Sequence, residues 1–264
     1  MMTERQPFMD TIRRALGRDQ GTAPPADLFT ASPDPAQEAV LERVRTRTPD
    51  ERRQLLQGLA EVAGPLHIDL YQEPSLASAG RTIARLILEK EPEWGPAKSV
   101  VRWDHPLING LELEALPELK QVPIHRTAVD SPAAEDGVAA GQRRQLRSRT
   151  QASFIGITSA DYCVAATATL AMRSRPGQAR STSLVPSIHV AVIREEQLLA
   201  SLEELYTLLK WDPDERAQGL TNCLSLVSGP SKTGDIELIM VHGAHGPREL
   251  HLFVVAAESL GESA

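Results

Sequence analysis

The segment SGPSKTGDIELIMVHGAHGP, residues 228–247, holds residues whose types and spacing could do chemistry. Lys232 stands between the hydroxyls of Ser231 and Thr233, and Asp235 follows a glycine. Because apolar residues then recur at helical spacing, we interpret the segment as a strand-to-helix turn with a helix that begins at Asp235. Free amides at a helix start attract anions, and a lysine adds to that attraction. The pattern predicts a weak anion site, and a plain glycine–proline turn with a solvated lysine is an equal alternative.

Two histidines in the same segment raise the question of a metal site. His242 and His245 lie three positions apart, which suits a metal on a continuous helix. Gly243 and Gly246 break that helix, however, and no cysteine or carboxylate stands beside them at zinc-site spacing. We therefore predict no metal here and expect each histidine to bond backbone or water. In a stand-alone enzyme, His245 or Asp235 could instead act as acid or base.

Two further loops carry groups that could complete an anion site. In SADYCVAATATLAM, small residues permit close backbone approach, and Thr167 and Thr169 share a face if the segment is extended. In MRSRPGQARSTSLVPS, Arg173, Arg175 and Arg180 surround a proline–glycine turn, and arginine forks hold carboxylates or phosphates. We expect Arg180 or Thr167 to assist the anion site across the ends of a sheet. Tight sheet–helix packing and a solvated hairpin tip stay open as explanations of these two loops.

These loops need elements to position them, and the chain from Thr48 onward alternates helical and strand patterns. Thr48 and Glu51 have the spacing of a capping box, which predicts a helix start. Residues 75–90, residues 195–211 and the segment LELEALPELK are also interpreted as helices. The short apolar segments between the helices are KSVVRW, QVPIHRTAV, FIGIT, SIHVAVI, CLSLV and LHLFVVA. Strands separated by helices predict a Rossmann-like α/β fold with a mainly parallel sheet flanked by helices.

The N-terminal part of the chain is predicted to form a separate helical arm. MDTIRRALGR has the spacing of a short helix, and DQGTAPPADLFTASPDPA is rich in proline and poor in apolar residues. We therefore divide the chain into an arm of residues 1–47, mobile or docked on a neighbour, and an α/β domain of residues 48–260. Within that domain, the spacing in EDGVAAGQRRQLRSRT places four arginines on the solvated side of a helix: Arg143, Arg144, Arg147 and Arg149.

Charge and cysteine content argue against several function classes. The chain has 28 Lys and Arg against 35 Asp and Glu, a formal net charge of −7, which disfavours general binding to nucleic acid or an anionic membrane. No apolar run reaches about 18 residues, so we expect no membrane span. Cys163 and Cys223 are too few for the four thiolates of a typical iron–sulfur cluster. We expect a cytoplasmic protein that binds no cofactor by itself.

Three segments together resemble one known family. GITSADYCVAATATL, RSRPGQARSTSLVPSIHVAVI and SGPSKTGDIELIMVHGAHGPRELHLFVV are similar in order and spacing to the lactate utilization protein C family, which carries the LUD domain. The resemblance is dense from Phe154 to Val255, and MDTIRRALGR resembles the family's opening helix. It implies the fold of the superfamily of ribose-phosphate isomerase, glucosamine-phosphate deaminase and CoA transferase. It also implies a role in bacterial oxidation of L-lactate to pyruvate, alongside iron–sulfur partner proteins that carry the clusters.

One departure from the family pattern affects the chemistry. Where the family commonly has an AETGT-like run, this chain has AATAT, so Ala166 and Ala168 replace a glutamate and a glycine. No carboxylate nucleophile for an acyl-anhydride intermediate stands at that position. The leading hypothesis is a component of the lactate system that binds a small anion. The alternatives are a stand-alone enzyme acting on a sugar phosphate or an acyl-CoA substrate, and an interaction scaffold without a ligand.

Overall fold

The computed structural model describes residues 10–12, 14–15, 32–93, 95–128, 136–218, 223–234 and 240–257. These residues fall into two compact units, one up to Ala39 and one from Val40 onward. Residues 10–12 and 14–15 are helical, within the expected N-terminal helix. Residues 19–31 of the proline-rich stretch lie outside the described residues, and the division at residue 47 stays a prediction. No helix in the described ranges is long and apolar enough to cross a membrane.

Capping side chains mark where the main helices begin. Thr48 Oγ1 accepts from the Glu51 N–H at 3.3 Å, and the Glu51 carboxylate accepts from the Thr48 N–H at 2.7 Å, so the expected capping box is confirmed. Ser75 and Ser201 cap two further helices, each by accepting from one backbone N–H of the first turn. The helices are α1 (Pro35–Arg45), α2 (Pro49–Ala63), α3 (Leu76–Glu89), α4 (Pro106–Asn109), α5 (Asp136–Ala152), α6 (Leu202–Trp211) and α7 (Pro213–Gln218).

The strands form one large parallel sheet, a smaller sheet and a hairpin. They are β1 (Ile68–Glu73), β2 (Val100–Arg102), β3 (Ile124–Arg126), β4 (Ile155–Ser159), β5 (Tyr162–Val164), β6 (Thr169–Arg173), β7 (Ile188–Arg194), β8 (Leu198–Leu199), β9 (Leu224–Val227), β10 (Lys232–Gly234), β11 (Met240–His242) and β12 (Glu249–Val255). The large sheet has the order β1-β12-β7-β4-β2-β3, and every neighbouring pair is parallel. The small sheet has the order β8-β5-β6-β9, and β10 pairs with β11. The α/β fold with a mainly parallel sheet is thus confirmed.

The large sheet has its core in the central strands. In β7 and β12 almost every side chain is buried, as a sheet covered on both faces requires. Ile83 and Ile87 of α3 are fully buried in the same core as Phe253. A 3-10 turn, Arg180–Ser183, packs on β4. A Cβ on Gly156 of β4 would lie 1.8 Å from the carbonyl oxygen of Thr182, so only glycine allows this turn to pack on the strand.

Two expected helices are wrong in their extent. Residues 195–211 do not form one helix, because Leu198 and Leu199 pair with β5 and are buried in the small sheet before Ser201 starts α6. The sheet pairing therefore overrides helical periodicity in the first third of that segment. LELEALPELK forms two short 3-10 turns, Leu113–Ala115 and Pro117–Leu119, because the proline cannot donate a helical hydrogen bond.

The helix expected after Asp235 is wrong at its carboxyl end, because Met240–His242 form the strand β11. Lys232 lies opposite His242 and Thr233 lies opposite Val241 in the antiparallel pair of β10 and β11. A short apolar run does not distinguish helix from strand, and here the β-branched pair Thr233 and Val241 favours the strand. Asp235 itself, with residues 236–239, lies outside the described residues.

Candidate functional site

The large sheet places a crevice at the carboxyl ends of β2 and β4. The chain leaves β2 toward β3 on one side and leaves β4 toward β7 on the other, so the strand order reverses between them. Open α/β sheets bind ligands at such a switch point. Trp103 and His105 follow β2, Ala160 and Asp161 follow β4, and Gln197 follows β7. These residues line a cavity of about 390 Å³, which we call the switch-point crevice.

A buried ion-pair network forms one wall of the switch-point crevice. Arg173, at the end of β6, is 4% exposed, and its Nε and Nη2 donate to Asp161 Oδ1 at 3.1 and 2.9 Å. Its Nη1 donates to Glu215 of α7, which also accepts from the Tyr162 hydroxyl at 2.8 Å. Burial, reinforced by the bond to Glu215, raises the pKa of Tyr162 well above its usual range. The phenol therefore stays protonated and holds the small sheet to α7.

Three more side chains offer their polar groups to the switch-point crevice. Arg175 Nη1 donates to Asp161 Oδ1 at 2.7 Å, and the Arg175 side chain is 26% exposed. His105 Nδ1 accepts from the Leu107 N–H at 3.2 Å, and burial lowers the pKa of this imidazole, so the neutral ring carries its proton on Nε2. Gln178 Oε1 is buried, and no described residue donates a hydrogen bond to it. The lining of the crevice thus includes a cation and an N–H donor, and the Gln178 oxygen is an unsatisfied acceptor buried in its wall.

A tight turn fixes Arg175 and Gln178 against the ends of β2 and β3. The Gln178 N–H donates to the Arg175 carbonyl at 2.8 Å, and Gly177 has a positive φ of 77°. The Gly177 carbonyl accepts from the Asp104 N–H at 2.9 Å and from the Thr127 hydroxyl. A Cβ on Gly177 would lie 3.2 Å from Asp104. The turn is therefore anchored to the large sheet and is not a solvated hairpin tip.

The segment around Lys232 lies at the opposite edge of the sheet. Lys232 Nζ donates to the Leu66 carbonyl at 3.3 Å, just before β1 begins, and the Ser231 N–H donates to the Pro247 carbonyl at 2.8 Å, just before β12 begins. These contacts place Ser231 and Lys232 at the amino ends of the parallel strands. Lys232 and Thr233 belong to the strand β10, and Asp235, where the expected helix begins, lies outside the described residues, so an anion site at that helix start stays a prediction.

His245 lines a small cavity of about 120 Å³ at this amino edge, together with Ser231 and His189. Burial lowers the pKa of His189 to about 3, and its Nε2 lies 2.8 Å from the Thr158 hydroxyl. His242 belongs to β11. Within the described residues, no group of three or more His, Cys, Asp and Glu side chains is arranged to hold a metal ion.

The remaining candidate residues lie outside the lining of the switch-point crevice. Thr169 Oγ1 lies 2.7 Å from both Thr167 Oγ1 and Ser228 Oγ, so these hydroxyls bond to one another. Arg180 is exposed, and its Nη1 lies 3.7 Å from Cys223 Sγ. The sequence interpretation therefore missed the crevice, although one signal was available: Asp161 comes directly after the apolar segment FIGIT and a short SA linker.

Comparison with known proteins gives one family. A family model described as LUD domain matches residues 44–255. A Lactate utilization protein C of Halalkalibacterium halodurans is 27% identical over 94% of this chain and 95% of its own length. A protein of the same name from Shouchella clausii is 27% identical over 97% of this chain and 99% of its own length. The crystal structure of a DUF162 family protein from Deinococcus radiodurans superposes on 77% of this chain and 98% of that chain with a TM-score of 0.50 and 19% identity, which supports the fold.

Proposed function

This chain belongs to the LUD domain family, and we propose that it is a component of a bacterial system that oxidises L-lactate to pyruvate. Support comes from relatives named Lactate utilization protein C, which align with nearly the whole chain. We propose that the chain works in the reducing cytoplasm, which agrees with two cysteines that form no disulfide bond in the described residues. The geometry of the switch-point crevice supports a proposal for its molecular role within that system.

We propose that the switch-point crevice binds the lactate anion. Arg175 supplies the charge for the carboxylate, and the Nε2–H of His105 supplies a second donor. Gln178 Oε1 accepts a hydrogen bond from the 2-hydroxyl group. The observation that carries this assignment is the buried, unsatisfied oxygen of Gln178 in a wall that also holds Arg175, because such an acceptor is costly unless a ligand or water donates to it. Pyruvate and acetate lack the hydroxyl and should bind more weakly.

Electron-carrying clusters are proposed to reside on iron–sulfur partner proteins. The chain contributes two cysteines where a cluster usually needs four thiolates. Burial raises the pKa of the Cys163 thiol to about 12, so this sulfur stays protonated inside the small sheet. Ala166 is exposed and carries no carboxylate, so we propose no acyl-anhydride chemistry for this chain. Its role is to hold the lactate anion for a reaction completed with its partners.

Calorimetric titration of the full chain with L-lactate, pyruvate and acetate at constant ionic strength tests this role. Arg175→Gln should weaken lactate binding at least about tenfold, since a hydrogen bond to a charged group contributes about 1.5–3 kcal/mol. Gln178→Leu should weaken lactate binding about fivefold and leave acetate binding unchanged, because only lactate donates a hydroxyl. Arg180→Gln, an exposed arginine outside the crevice, is the matched control.

Two outcomes would contradict the assignment. If Arg180→Gln weakened lactate binding as much as Arg175→Gln, the anion would be held by general surface charge or at another place. If Gln178→Leu affected lactate and acetate equally, the Gln178 amide would not recognise the hydroxyl group. Circular dichroism of each variant shows that the compared proteins are folded.

A further inference from the structure

A second cavity lies beyond β2, at the ends of β2 and the edge strand β3. It measures about 550 Å³, and its lining includes Arg102, Glu114, His125, Arg126 and Arg149. We call it the edge cavity. Three guanidinium groups therefore face one carboxylate, in a chain whose formal net charge is −7. A local excess of positive charge in an acidic protein is a feature that requires an explanation.

Arg102 is the fixed part of the edge cavity. It is 4% exposed, and its Nε donates to Glu114 Oε1 at 2.7 Å. Its Nη1 donates to Asn109 Oδ1 at 2.6 Å and to the Trp103 carbonyl at 3.1 Å. Glu114 is therefore neutralised by Arg102, and the guanidinium is held in one orientation before any ligand arrives. Such preorganisation reduces the entropy lost on binding.

Arg126 and Arg149 supply the excess charge. Arg126 is 55% exposed and has its Nη1 3.8 Å from Asp104 Oδ1, a long and screened ion pair. Arg149 is exposed in the last turn of α5, and no carboxylate of a described residue lies within 4.0 Å of its guanidinium. Burial, and then the charge of Arg149, lowers the pKa of His125, so the imidazole beside them is held toward its neutral form. Among the described residues, Arg149 has no carboxylate partner and Arg126 has only this long pair, so both guanidinium groups are available to a ligand.

We propose that the edge cavity binds a small dianion of the phosphate-monoester class. The guanidinium groups of Arg126 and Arg149 together can balance the charge of a phosphate dianion, and guanidinium forks match its oxygens bidentately. The volume leaves room for an organic group attached to the phosphate. This site is separate from the switch-point crevice, because the two linings share no residue. Lactate, a monoanion, is the ligand of the crevice and not of this cavity.

Titration of the full chain with inorganic phosphate, with sodium chloride keeping the ionic strength constant, tests the proposal. We expect saturable binding that shifts the ring resonances of His125 in NMR spectra and leaves those of His105 in place. Arg149→Gln and Arg126→Gln should each weaken phosphate binding about tenfold. Arg144→Gln is the matched control, because Arg144 is an exposed arginine of α5 that does not line the cavity, and it should change affinity less than about twofold.

The proposal is overturned if phosphate binding does not saturate, if the ring resonances of His125 do not shift, or if Arg144→Gln weakens phosphate binding as much as Arg149→Gln. A second comparison separates this site from the lactate role. Arg175→Gln should leave the phosphate affinity unchanged, and Arg149→Gln should leave the lactate affinity unchanged. Loss of phosphate binding in Arg175→Gln would show that phosphate occupies the switch-point crevice instead and would also overturn the proposal.

Discussion

Replacing Asp161 by Asn should destabilise the fold and strengthen lactate binding at the same time. The Asp161 carboxylate accepts from the Arg173 N–H at 2.7 Å, from the Arg173 guanidinium at 2.9 and 3.1 Å and from Arg175 Nη1 at 2.7 Å. Asp161→Asn keeps the shape of the side chain and removes its charge. Glu215 is then the one carboxylate bonded to the buried Arg173 among the described residues.

The loss of stability follows from the burial of Arg173. Breaking a buried ion pair costs about 3–5 kcal/mol, and the Glu215 contact keeps the cost near the lower end. At about 2–4 °C per kcal/mol for a chain of this size, the melting temperature should fall by roughly 6–12 °C. Asp50→Asn, which breaks an exposed ion pair with Arg53, is the matched control and should cost less than about 1 kcal/mol. Calorimetric unfolding of the three proteins gives both values.

The gain in affinity follows from the removal of a competing anion. For an assumed separation of about 5 Å between the Asp161 carboxylate and lactate held by Arg175, the repulsion is about 0.8 kcal/mol in a water-like dielectric, which corresponds to about fourfold in affinity. Lactate titration at a temperature where all variants are folded measures this change. A loss of stability no larger than that of Asp50→Asn, or a weaker affinity for lactate, would refute the assigned roles of Asp161 and Arg175.

Three further predictions concern two glycines, His189 and the two cysteines. Gly156→Ala should cost more than about 3 kcal/mol of unfolding free energy, because its Cβ would lie 1.8 Å from the Thr182 carbonyl oxygen. Gly141→Ala in α5 is the contrasting case: its Cβ meets no atom within 4 Å, so it should stabilise the chain by up to about 1 kcal/mol in urea unfolding. Burial lowers the pKa of His189 to about 3, so between about pH 6.5 and pH 3 the unfolded chain binds a proton that the folded chain does not. The free energy of unfolding should therefore fall by up to about 1.4 kcal/mol per pH unit as the pH drops. His189→Asn should remove this part of the pH dependence. Iodoacetamide should modify Cys223 and not Cys163 in the native chain, because a hydrogen bond with Ser225 lowers the pKa of Cys223 while burial raises the pKa of Cys163. Mass spectrometry that finds Cys163 modified first would contradict this prediction.

Much of the fold could be predicted from local sequence patterns. The capping box of Thr48 and Glu51 marks the start of α2, and apolar segments such as FIGIT and SIHVAVI mark β4 and β7. These signals lie within a few neighbouring residues, so they can be read from the sequence without knowledge of the tertiary structure. The helix expected from Asp235 is wrong at Met240–His242, because the pairing of β11 with β10 is decided between separate segments.

The candidate site could not be predicted in the same way. His105, Asp161, Gln178 and Glu215 are far apart in the sequence, and only the strand order brings them to one crevice. The sequence identifies the arginine-rich turn near Pro176 as an anion-binding candidate. It does not show that Asp161 accepts three hydrogen bonds from Arg173 and one from Arg175, and these bonds decide how much of their charge a ligand meets. Burial and ion pairing of this kind are properties of the folded chain.

Nuclear magnetic resonance mapping of L-lactate on the isotope-labelled full chain tests the central claim most directly. The account predicts saturable shifts at His105, Arg175 and Gln178, at the carboxyl ends of β2 and β4, with smaller shifts when pyruvate replaces lactate. The segment from Ser231 to Thr233 at the opposite edge of the sheet should not respond. Shifts centred on Ser231 to Thr233, with the switch-point crevice unchanged, would contradict the account.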